Sequence, residues 1–110
     1  MINWYKNLYV GDTAQKKQKK LIYRIEHGKF TPDVWLITLS TNEQNHLDIL
    51  PAASLKQPYV KEHLPMIVGL AVSYEESLCV VEHIVKEVYR ETGDTKIREW
   101  LLSHNSNSVS

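Results

Sequence analysis

The chain has 110 residues and is 43% hydrophobic and 24% charged, a length for one domain with one core and a composition that excludes a wholly disordered protein. No stretch approaches the roughly 18 apolar residues of a membrane span, the start lacks a signal-peptide pattern, and a single cysteine cannot form an internal disulfide. A cytoplasmic protein is the simplest expectation. The 13 basic and 13 acidic residues cancel, yet residues 1–30 carry seven basic and two acidic residues, residues 31–60 one and three, and residues 61–110 five and eight. The basic excess at the start raises the question of an acidic or nucleic-acid partner.

Residues 1–10 bring Trp4, Tyr5 and Tyr9 and suggest a short helix docked on the domain or on a partner. A long helix is expected over 13–27: Asp12 suits the N-cap with Gln15 three residues on, and Gly28 suits the stop. At roughly 100° per residue, Ala14, Leu21, Ile22 and Ile25 share one face with Gln18. Lys16, Lys20 and Arg24 then align opposite, flanked by Lys17 and Lys19.

Thr31–Asp33 reads as a turn, and Val34–Ser40 as a strand covered on both faces. After the polar loop 41–45, His46–Leu50 alternates and stops at Pro51, the pattern of an edge strand antiparallel to the one before. Three prolines limit 51–65 to short helical turns, around Ala52–Lys56 and Val60–His63. Met66–Ser73 is the strongest strand, apolar on both faces, with Gly69 allowing a close approach.

Ser73 and Glu76 form a capping box for a helix running to Thr92 and closed by Gly93. Leu78, Val81, Ile84, Val85, Val88 and Tyr89 make a broad apolar arc expected to pack on the sheet. Glu82–Lys86 and Glu87–Arg90 have ion-pair spacing. A shorter helix follows, with Ile97, Trp100 and Leu101 inward. Residues 1–103 then form one globular domain and 104–110 a disordered tail. The expected class is α/β: a small mixed three-stranded sheet with an antiparallel edge strand, packed by two long helices and a short C-terminal one. A two-layer α+β arrangement is the alternative.

Three surfaces attract attention. If the strands 34–40 and 66–73 were parallel, Ser40, Thr41, Asn42, Ser73 and Tyr74 would converge beyond their carboxyl ends, where α/β proteins bind ligands. Cys79 and His83 share a helix face and could pair as nucleophile and base, or supply half of a zinc site. Lys16, Lys17, Lys19, Lys20 and Arg24 could meet phosphates, but two or three at a time, which gives weak, salt-sensitive binding. Glycine-rich phosphate loops and metal-ligand motifs are absent from the sequence, so no catalytic residue, cofactor or metal is assigned.

The segments "WYKNLYVGDTAQKKQKK", "VWLITLS", "LDILPAASLKQPY" and "IVGLAVSYEESL" resemble a group of small uncharacterised single-domain bacterial proteins of no known activity. That resemblance implies a bacterial cytoplasmic protein and supplies no site residues. The sequence thus favours a non-catalytic protein-interaction or regulatory module, acting on a protein partner or as a homo-oligomer. Nucleic-acid binding through 13–27 is the alternative, and a small-ligand binder or enzyme at the strand ends the third reading.

Overall fold

The computed structural model describes residues 2–29, 31–40 and 46–106. Its strands are β1 (Trp4–Val10), β2 (Trp35–Leu39), β3 (Leu47–Pro51) and β4 (Ile67–Ala71), and they form one mixed sheet in the order β1-β4-β2-β3. β1 runs parallel to β4, while β2 is antiparallel to both β4 and β3. The helices are α1 (Asp12–Gln15), α2 (Gln18–Glu26), α3 (Pro58–Glu62), α4 (Tyr74–Thr92) and α5 (Ile97–Ser106), with a 3₁₀ helix at Ala52–Lys56.

Each face of the sheet is covered. On one side α1, α2 and the 3₁₀ helix bring Ala14, Leu21, Ile25 and Ala52 onto Leu36, Ile67 and Leu70. On the other, α4 and α5 bring Val80, Ile84, Val88, Ile97 and Leu101 onto Tyr5, Ile37, Leu39, Val68 and Ala71. The two-layer alternative is therefore excluded: helices lie on both faces of one sheet. β4 is buried throughout because it lies inside the sheet and under both layers. α4 crosses it at Gly69, where a Cβ would come within 3.0 Å of the Val80 methyl. A side chain there would press on Val80 and Ile37 and force them to shift.

The expected β2, β3 and β4 are present, and β3 is the antiparallel edge strand. Two expectations fail. Residues 4–10 form the fourth strand, not a docked helix: Trp4, Leu8 and Val10 pack on the α2 side, while Tyr5 and Tyr9 pack on the α4 side. Between them Lys6 and Asn7 are exposed, where the β1–β4 register also shifts. The helix expected over 13–27 is two pieces, with Lys16 and Lys17 in non-helical turn between them. Only α4 is long. α5 continues to Ser106, past the expected start of a loose tail, and 107–110 lie outside the described residues.

Candidate functional site

The parallel pair is β1 and β4, so the crevice beyond parallel strand ends lies between β1–α1 and β4–α4. Val10 lies beside Leu70, and Gly11 N–H donates to the Leu70 carbonyl at 2.9 Å. Two helices start here, and helix starts leave backbone N–H groups without partners inside the helix. Ser73 satisfies one, its Oγ accepting from Glu76 N–H at 3.0 Å. The Glu76 carboxylate does not return to Ser73 as a capping box would. It accepts from Val72 N–H at 2.8 Å and, across the crevice, from Thr13 N–H at 2.6 Å.

Glu76 therefore sits where a phosphate or carboxylate ligand would bind the N-terminus of α1. Burial alone would raise its pKa, but the N–H groups of Val72 and Thr13, together with the Thr13 side chain and the nearby Ala14 N–H, outweigh it and hold the carboxyl below its ordinary value. Gly11 makes room for this arrangement: a Cβ there would fall 2.3 Å from the Glu76 carboxyl carbon. A groove of about 720 Å³ remains outside, lined by Tyr9, Asp12, Glu75, Cys79 and His83 among others. Its rim carboxylates Asp12 and Glu75 oppose anionic ligands.

The five residues expected to converge do not. β2 and β4 are antiparallel, with Trp35 opposite Ala71 and Thr38 opposite Ile67. Ser40 therefore lies at the other end of the sheet, buried, its carbonyl accepting from the Arg98 guanidinium. Ser73 is the α4 cap, and Tyr74 packs edge-on against Trp35 with ring centroids 5.2 Å apart. Thr41 and Asn42 lie outside the described residues.

Cys79 and His83 are both exposed on α4. His83 Nε2 lies 3.5 Å from one Glu87 oxygen, and the other accepts from the Tyr9 hydroxyl at 2.8 Å. Tyr9 also meets the His83 ring edge-on at 5.7 Å and stacks with Tyr5 at 6.2 Å. Burial, and then the bonded, negative Glu87, push the Tyr9 hydroxyl well above its usual pKa. His83 is thus tied into a Tyr9–Glu87 cluster that fastens α4 to β1. Among the described residues, no three His, Cys, Asp or Glu groups are placed to hold a metal ion. Tyr9 and Glu87 were not legible as partners, because their contact spans |i−j| = 78.

The basic residues are dispersed. Lys16 and Lys17 occupy the turn, Lys19 and Lys20 project from α2, and Arg24 is half-buried. The row expected on one unbroken helix is therefore bent at its start.

The surface with the most unspent chemistry is the other flank of α4. The buried face comprises Ser77, Val80, Ile84 and Val88. Beside it, within an arc of about 80° at 100° per residue, lie Tyr74, Leu78, Val81, Val85 and Tyr89. Tyr74 is 48% exposed, Leu78 47% and Tyr89 59%, so Leu78 and Tyr89 do not pack on the sheet as expected. α4 packs on β4, β2 and β1, leaving this flank above the side of β3. There Leu47 and Ile49, opposite Leu39 and Ile37, are only half-buried.

No protein-family model, curated protein or solved structure matches this chain.

Proposed function

We propose that the chain is a non-catalytic protein-interaction module that docks a protein on the open flank of α4. The observation that carries this reading is the clustering of exposed apolar side chains. Three of the six large ones among the described residues, Tyr74, Leu78 and Tyr89, lie on this single stripe. Scattered apolar residues need no explanation, but a contiguous patch marks a binding surface, and tyrosine is a preferred anchor in one. The sheet edges are poorer docking points. β3 is short, carries Asp48 and ends in Pro51, and β1 is irregular in register with Lys6 exposed. Both devices discourage strand addition.

The test is photocrosslinking in cells that produce the protein. A photoreactive residue replacing Leu78 should give a discrete crosslinked protein product, and one replacing Lys20 should not. Absence of a product from position 78 would reject the module.

A further inference from the structure

Resting on that reading of α4, we infer that the partner is a second copy of this chain, with the two α4 helices packed antiparallel through the same stripe. A two-fold dimer uses one patch on both subunits, so the patch must complement itself. The stripe meets this condition. Read in either direction from a centre between Val81 and Glu82, tyrosine stands at each end, Tyr74 and Tyr89. Leu78 and Val85 stand inside them, and Val81 lies beside the centre. In an antiparallel pair about that centre, Tyr74 meets Tyr89 of the second copy, Leu78 meets Val85, and the two Val81 side chains meet.

The flanking charges agree. Antiparallel packing sets the same flank of each helix opposite itself. Glu75 then lies opposite the region between Lys86 and Arg90 of the second copy, twice over by symmetry. Glu82, close to the two-fold axis, is held by its own Lys86 at 3.4 Å, which offsets repulsion between the two Glu82 carboxylates. The chain's zero formal charge adds no general repulsion between copies.

The experiment is sedimentation equilibrium of the full chain. The wild type should sediment at twice 12.8 kDa at tens of micromolar. Leu78→Glu should be a monomer with an unchanged circular dichroism spectrum. Glu75→Lys and Lys86→Glu should each weaken association by about tenfold or more, because each sets like charges face to face. Mixed together, those two variants should associate more tightly than either does alone, since the lysine at 75 then faces the glutamate at 86 while the native Glu75 faces the native Lys86. A wild type that stays monomeric at these concentrations overturns self-association. The module reading is judged separately, by a crosslinked product from position 78 whose mass is not twice the chain's. A dimer indifferent to Leu78→Glu overturns the assigned face. A dimer lost in Leu78→Glu but not recovered in the mixture overturns the antiparallel register.

Discussion

The two flanks of α4 are built in opposite ways. Toward β1 the helix presents Glu76, His83 and Glu87, and these are engaged within the fold. Glu76 receives two backbone N–H groups, and Glu87 joins His83 to the Tyr9 hydroxyl. Away from β1 it presents tyrosine, leucine and valine, of which Tyr74, Leu78 and Tyr89 stay about half exposed. The polar flank looks like chemistry and acts as architecture. The apolar flank looks like core and is left at the surface. Residue type alone therefore misassigns both, because what decides is which strand lies beneath. β1 completes the sheet on the polar side, while on the other side Leu47 and Ile49 of β3 stay only half-buried.

The first way to break this comparison is to evict Glu76. Gly11→Ala should force its carboxylate from the crevice and leave the first N–H groups of α1 without their acceptor. The expected cost is about 2–3 kcal/mol, the scale of hydrogen bonds to a charged group. Urea unfolding measures it, and a loss under about 0.5 kcal/mol would show that Glu76 does not fasten α1. Glu76→Gln carries the matching pH signature. A carboxyl with a depressed folded pKa stabilises above its unfolded value and loses that contribution as pH falls through the folded one. Wild-type stability should therefore decline below about pH 4.5, and Glu76→Gln should lack that part of the decline.

Much of this architecture can be read along the chain. Gly69 in an apolar run, Pro51 after an alternating one, and Ser73 three residues before Glu76 each act locally, so β4, the end of β3 and the start of α4 are legible. What escapes depends on distant pairing. β1 hides because the exposed Lys6 and Asn7 interrupt its apolar run, and because its partner β4 is about sixty residues away. The split between α1 and α2 hides because Ala14, Leu21 and Ile25 fit one straight helical stripe equally well. The start of α1 is instead held from α4, where Glu76 accepts from Thr13 N–H, a contact between residues 63 positions apart. The same holds for the candidate surfaces. The Ser40–Ser73 crevice required parallel β2 and β4, and strand direction is not encoded in either strand's composition. Leu78 and Tyr89 had the right spacing for burial, but a helical wheel does not report how wide a sheet α4 can cover.

The next perturbation is smaller. Tyr9→Phe keeps the ring against His83 and Tyr5 but removes the hydroxyl that Glu87 accepts, at a cost of about 1 kcal/mol at neutral pH. A tyrosine with a raised folded pKa contributes stability that is complete below its unfolded value and is lost as pH climbs above it. The wild type should thus weaken above about pH 10.0, and Tyr9→Phe should weaken less steeply there. Parallel alkaline limbs in denaturant titrations of the two proteins would remove Tyr9 from the polar flank's fastening.

The smallest effect on the folded monomer belongs to the apolar flank, and its smallness is the sharpest form of the comparison. Leu78 is about half exposed in the fold, so truncating its apolar contact removes little burial that the unfolded chain lacks. Leu78→Gln keeps helix propensity, since both residues are good helix formers. Dilute protein should therefore unfold within about 0.5 kcal/mol of the wild type. Concentration separates folding from docking, because association that requires the folded chain raises apparent stability by mass action. The wild type's melting temperature should climb with protein concentration, and that of Leu78→Gln should stay flat over the same range. A variant that loses 2 kcal/mol or more when dilute would place Leu78 in the monomer core. The contrast between the two flanks would then disappear.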